Sequence, residues 1–151
     1  MKRILGMVLA MAAGVAGAGV PICMAVSDDD ARAILGASAK RTKDPSGCAW
    51  EAAADHKKQM NVVRVGVASM FEIARRESEK KGATKVENGL GGPAFSSVPS
   101  ANQGARAAIY MLKDPAVLIV DIEGFGPGGA EARLVQVRDL VRKLGPSVAK
   151  E

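Results

Sequence analysis

Apolar and polar positions alternate most regularly over residues 116–123, where Leu118, Val120 and Ile122 fall on one side and Asp121 and Glu123 on the other. A period of two predicts a β-strand with one face buried. Residues 106–113 read the same way, and Lys113-Asp114-Pro115 forms the tight turn between the two strands. Residues 61–68 also alternate: Val63, Val65 and Val67 are predicted to face inward, Arg64 and Gly66 outward. Residues 48–52 are predicted as the first strand, with an exposed turn at 55–58 after it. Residues 84–87 form a strand that breaks at 88–93 and resumes at 94–96. The polar stretches 37–47 and 97–104 read as loops.

Three segments have helical signals. Ser27 precedes Asp28, Asp29 and Asp30; its hydroxyl accepts from the amide three residues on, and the carboxylates suit the positive end of a helix dipole. That helix is predicted over 28–35, with Gly36 in the left-handed position after it. Ser69 and Glu72 have the spacing of a capping box for a second helix, which has a solvated tail, RRESEKK, and ends at Gly82. Ala130, Leu134, Val137, Val141 and Leu144 recur at the helical 3–4 spacing, and Gly145-Pro146 is predicted to stop that last helix. The order is α-β-β-α-β-β-β-α. Short hairpins join most strands, so the fold class is α+β: a single mostly antiparallel sheet of about five strands, with helices packed on one face and the other partly open.

Residues 1–18 change the setting. Lys2 and Arg3 precede the uncharged run from Ile4 to Val15, and Ala16-Gly17-Ala18 has the small-x-small form that a signal peptidase cleaves. A run of about 12 apolar residues falls short of the ~20 that a membrane-spanning helix needs. The chain is predicted to be exported and cleaved after Ala18, becoming periplasmic or secreted. About 130 residues then remain, as a single domain over 19–151 with its core over 22–145, too small for two domains. Aromatic residues make up 3% of the chain, so the core must be built from aliphatic side chains, Met and Ala. The basic excess is mild and dispersed, which argues against a nucleic-acid partner.

In an oxidising compartment Cys23 and Cys48 read as one disulfide closing a loop of about 25 residues, worth roughly 3 kcal/mol. Two rival readings concern Cys23. Cleavage after Ala25 would discard it, and lipidation wants a small residue before it, where Ile22 fits badly.

Several motifs invite chemistry. Gly124-Phe125-Gly126-Pro127-Gly128-Gly129 matches G-x-G-x-x-G between a strand and a helix. Too little chain follows to complete a βαβ unit, and no acidic residue closes a second strand to hold a ribose. A strand-to-helix connection is the plainer reading, and anion binding at the helix start is the weaker one. Asp28-Asp29-Asp30 point in different directions on a helix, so dipole compensation explains them better than a calcium site. His56 is the only histidine and lies among Asp55, Lys57 and Lys58, a surface setting that builds neither a zinc site nor a triad. Asp121 and Glu123 share a strand face, yet nothing desolvates them and Arg106 stands ready to offset one. Trp50 reads as core or sheet surface. Leu90 and Phe95 flank the glycine-rich break at 89–92 and are predicted to re-enter the core.

Cys23 ahead of a Ser-started helix ending in Leu35-Gly36, the Cys48-Ala49-Trp50 strand, and Gly89-Leu90-Gly91-Gly92-Pro93-Ala94-Phe95 are arranged as in a known group. The chain resembles, over residues 22–145, small exported or lipid-anchored bacterial domains of unknown function that are remotely similar to the PsbP-like α+β sandwich. Members usually carry a small acidic or polar residue where this chain has Gly92. The resemblance implies a binding or accessory role and brings no catalytic residues.

The expectation is an exported, non-enzymatic domain that binds a small ligand or an envelope protein through the open sheet face or the glycine-rich loops. Trp50, Gly126, Gly128 and Gly129 are its candidate contacts. No cofactor, metal or nucleic acid is expected. Two alternatives compete: an envelope hydrolase or other enzyme, and an accessory subunit tethered to the membrane by an uncleaved N-terminus.

Overall fold

The computed structural model describes residues 22–45 and 47–148, so the predicted leader lies outside the described residues. The chain begins with a short helix α1 (Ile22–Ala25) and α2 (Asp28–Leu35), followed by strands β1 (Ala39–Thr42), β2 (Cys48–Ala52) and β3 (Asp55–Val65). Helix α3 (Ser69–Lys81) leads into β4 (Gly82–Glu87), β5 (Ala94–Pro99), a single 3-10 turn, β6 (Ala107–Lys113) and β7 (Ala116–Glu123). A short helical turn α4 (Gly129–Ala132) and the helix α5 (Leu134–Val148) close the chain.

The sheet has seven strands in the order β1-β2-β3-β7-β6-β5-β4, and every neighbouring pair is antiparallel. Two meanders, β1–β3 and β4–β7, join side by side through β3 and β7. Helix α3 therefore has to carry the chain from the middle of the sheet to its far edge, and it does so across one face. Helices α1, α2 and α5 pack on the opposite face. The α+β class and the antiparallel sheet are as expected, but there are seven strands rather than about five, helices lie on both faces rather than one, and the order is α-α-β-β-β-α-β-β-β-β-α-α rather than α-β-β-α-β-β-β-α.

The main core lies between the sheet and α1, α2 and α5. Met60, Val62, Ile109, Met111, Leu118, Val120 and Ile122 come from the sheet, against Ile34, Val137, Val141 and Leu144 from the helices. A smaller cluster on the other face holds Phe71 of α3 against Phe95 and Val117, with Tyr110 and Ile119 beside it. Leu90 and Phe95 are both buried as predicted, one in each cluster. The break before Phe95 is the turn of a β4–β5 hairpin, with Val86 opposite Phe95.

Several local expectations give way to tertiary contacts. Residues 39–42 were predicted as loop but form β1, because Arg41 lays its guanidinium over Trp50, 4.8 Å from the ring centroid, and donates to the carbonyls of Cys23 and Val26. The predicted turn at 55–58 is the start of β3, and the turn itself is Ala53-Ala54. In β3 the inward residues are Met60 and Val62, not Val63 and Val65. Arg64 shares that core side and donates from Nε to the Val148 carbonyl at 2.9 Å. That contact and the fully buried Val148 draw α5 past Gly145-Pro146, which was expected to end it. β5 runs through Pro99 into what was predicted as loop.

The predicted Ser27 cap of α2 is present and forms a full capping box: Asp30 N donates to Ser27 Oγ at 3.1 Å and Ser27 N to Asp30 Oδ2 at 2.8 Å. At α3 the cap residue is Ala68 with no side-chain cap bond, and Glu72 instead pairs with Arg75. The disulfide joins Cys23 to Cys48 across a sequence separation of 25 and ties α1 to β2. Among the described residues no helix is long and apolar enough to cross a membrane.

Replacing both Cys23 and Cys48 with Ser should lower unfolding stability by about 3 kcal/mol, the loop-closure entropy that the crosslink removes from the unfolded chain. Urea denaturation of the variant beside the oxidised parent measures it. A loss below about 1 kcal/mol would mean that the Arg41–Trp50 contacts alone hold α1 in place.

Candidate functional site

The second face is where the sheet is incompletely covered. Register fixes its rows: Val63, Ile119, Tyr110, Phe95 and Val86 stand side by side, and Asn61, Asp121, Ala108, Ser97 and Thr84 form the next row. Helix α3 lies over the β4–β6 half of these rows, and the β1–β2–β3–β7 half carries no helix. Along the boundary between the two halves runs a cleft of about 160 Å³, lined by Glu77, Ser78, Lys81, Arg106, Tyr110 and Asp121.

Each side chain is there for a local reason. Phe71, Ala74 and Ser78 recur at helical spacing and turn towards the sheet, which leaves Glu77 and Lys81 on the flank facing the open half. Arg106 and Tyr110 are four residues apart on a strand and so share a face, as do Asp121 and Ile119 on β7. Ser78 Oγ donates to Ser97 Oγ at 2.6 Å and lies 2.6 Å from Thr84 Oγ1, a chain of hydroxyls that satisfies the polar groups beneath the helix.

Charge in the cleft is unevenly paired. Arg106 holds Asp121 with two parallel hydrogen bonds of 3.1 and 2.9 Å, and this carboxylate raises the Arg106 pKa above its usual value. Glu77 pairs with Lys80 outside the cleft. The Tyr110 ring stacks on Phe95 with centroids 4.7 Å apart, and among the described residues its hydroxyl has no hydrogen-bond partner. Burial pushes the Tyr110 pKa above 10.0, and the Asp121 charge adds to the rise. Lys81 likewise makes no side-chain hydrogen bond among the described residues. The cleft therefore presents a neutral hydroxyl and an ammonium as unused donors beside a neutralised carboxylate.

The residues predicted to contact a ligand lie elsewhere. Trp50 is 1% exposed and donates from its indole nitrogen to Asp28 at 3.4 Å, with Arg41 stacked on its ring, so no ring face is open to a ligand. Gly126, Gly128 and Gly129 lie in the connection from β7 to α4. There the Gly128 amide donates to the Gln103 carbonyl at 2.7 Å, and the Ala130 and Glu131 amides donate to Gly104. The Gly129 amide turns back to Gly126. Carbonyls of the β5–β6 connection thus occupy the amides that an anion would have needed. Gly104 and Gly128 both have positive φ, and a Cβ on Gly104 would stand 2.9 Å from the Gly128 Cα, so the glycines allow two backbones to meet closely.

The remaining candidates are dispersed. Asp28, Asp29 and Asp30 go to three partners, Trp50, Arg32 and Lys143. His56 is exposed and lies 3.1 Å from Glu51. Arg75 is held by Glu72 and Glu79 on the solvated face of α3. Compared with models of known protein families the chain matches none, and no curated protein is similar to it.

Tyr110 is the only tyrosine, so ultraviolet absorbance titration reads it alone. It should titrate above 10.0, and Asp121→Asn should lower it, because the nearby negative charge is removed while burial stays. A folded-state pKa above the unfolded one stabilises the fold fully below pH 10, and that contribution fades as pH rises through the folded value. An unshifted titration would mean that the phenol is open to water.

Proposed function

We propose that this is an exported, non-enzymatic binding domain that holds a small polar ligand in the cleft beneath α3. The observation carrying this reading is the Tyr110 hydroxyl, half-buried at the cleft and without a hydrogen-bond partner among the described residues. Water satisfies a half-buried group of this kind until a ligand with a matching acceptor replaces it. The cleft takes a molecule of a few heavy atoms with a hydrogen-bond acceptor for Tyr110 and Lys81. The carboxylate of an acetate-sized molecule or the carbonyl of an amide meets that need.

Binding is favoured over catalysis by the pairing of the cleft's charges. Asp121 is neutralised by Arg106, and His56 is away from every hydroxyl of the Ser78 chain. Neither supplies a general base beside a nucleophile. Export is supported by the leader-like residues 1–18 and by the disulfide, which persists in oxidising compartments. A resemblance to exported PsbP-like domains belongs to the same proposal.

Nuclear magnetic resonance titration with acetate, glycine and acetamide tests the cleft. At least one should move the signals of Tyr110 and Ala108, and Tyr110→Phe should weaken it about tenfold, the loss of one hydrogen bond of ~1.4 kcal/mol, while the ring stack stays. No shift with any of the three, or shifts unaffected by Tyr110→Phe, would remove the cleft from consideration. Intact mass of the exported product tests the compartment: it should begin at residue 19 and carry the disulfide.

A further inference from the structure

The two edges of the sheet are treated differently. An open edge presents unpaired amides and carbonyls to any strand of matching shape, and proteins blunt such edges with short strands and lysines. β1 is blunted in this way: it has four residues, it carries Lys40, and its Arg41 is turned inward over Trp50. β4 is six residues long and has no strand partner on its outer side among the described residues. Its Val86 is 77% exposed, the largest exposure of any bulky apolar side chain on a strand.

Beside Val86 the apolar surface continues. A groove of about 370 Å³ opens between α3 and the 88–93 turn, walled by Phe71, Val86, Pro93 and Phe95. Edge, exposed valine and groove lie together on the α3 face of the sheet, since Val86 stands opposite Phe95.

We propose that β4 is a self-pairing edge through which two copies of this chain form an antiparallel, twofold dimer. The sequence of β4 suits a second copy of itself in a register centred on Val86. Twofold pairing centred on Val86 puts Val86 opposite Val86 and Lys85 opposite the Glu87 of the second copy, twice over by symmetry. Moving the centre by one residue puts Lys85 opposite Lys85, and like charges directly across a strand pair repel. Arg138 of α5 donates to both oxygens of Glu87 at 2.7 and 2.9 Å, so the carboxylate is fixed beside the edge with 10% of its side chain left exposed. A carboxylate has lone pairs left for a further cation.

The helices fit the same arrangement. α3 packs over β4 and β5. In such a dimer the two copies of α3 stand on the same face, one on either side of the junction, and flank both Val86 side chains and the mouths of both grooves. The dimer would be one continuous sheet with its apolar edge buried at the centre.

Sedimentation velocity of the oxidised full chain over a wide concentration range tests this. A monomer–dimer equilibrium is expected. Val86→Asp should abolish the dimer while circular dichroism and melting stay those of the parent, since the side chain is exposed. Lys85→Glu, at another exposed position, should weaken dimerisation about tenfold or more and keeps the test decisive if the first variant misfolds. Under mild oxidation Val86→Cys should crosslink to its twin, and Ala83→Cys, which this register sets far from its twin, should not. A chain that stays monomeric at millimolar concentration would overturn the proposal. So would a dimer that survives both substitutions, or equal crosslinking at the two cysteines.

Discussion

Seven strands spaced ~4.8 Å apart span roughly 30 Å, and one helix about 10 Å wide covers only a third of that breadth. This mismatch governs the molecule. On one face α1, α2 and α5 share the task of covering the sheet, and that face holds nearly all of the buried aliphatic side chains. On the other face α3 works alone, because it is the single connection between the two meanders. The half of that face beyond α3 must stay in contact with water, so its strands carry Asn61, Gln59, Asp121 and Glu123 where the covered half carries Phe95 and Ser97. The cleft and the exposed flank of α3 both follow from that uneven cover.

A core with so few aromatic residues needs its ends fixed, and the N-terminal segment is fixed three ways. The disulfide ties α1 to β2, Arg41 donates to two carbonyls near the end of α1, and Asp30 of α2 pairs with Lys143 of α5. Burial alone would raise the Asp30 pKa, but the hydrogen bonds from Lys143 and Ser27 prevail and hold it below 3.8. At neutral pH it is therefore a carboxylate that joins α2 to α5. The burial of Trp50 depends on this assembly, since its indole nitrogen reaches Asp28 and its ring lies under Arg41.

Sequence periodicity revealed the elements whose neighbours are regular. β7 alternates cleanly because one of its sides meets a helix-covered core along its whole length, and the Ala130, Leu134, Val137, Val141 and Leu144 stripe points to the same core. β1 could not be read from Ala-Lys-Arg-Thr, since Arg41 is drawn in by an aromatic ring and two carbonyls distant in sequence. The phase of β3 was misread for a related reason. Three valines at 63, 65 and 67 outweigh Met60 and Val62 in a count, yet Arg64 extends along the core side to the Val148 carbonyl. The site was half legible. Strand pairing sets Arg106 against one of Asp121 and Glu123, and the structure makes it Asp121, whereas Ser78, Ser97, Lys81 and Tyr110 meet only through the crossing of α3. The one available signal was a lone tyrosine sharing a strand face with Arg106.

The glycine-rich connection after β7 shows how a motif can be structural in detail. Its glycines let the turn at Gln103-Gly104 approach the start of α4 closely enough for two carbonyls to take three amides. A helix start whose donors are already bonded offers nothing to a phosphate, whatever the spacing of its glycines. Besides the buried Gln136 Oε1 of α5, unused hydrogen-bonding capacity among the described residues lies with side chains at the boundary of α3 and with the backbone of the outer strand β4. Both places arise because α3 spans the sheet without filling its width, and that geometry separates a pocket suited to a small molecule from an edge suited to another strand.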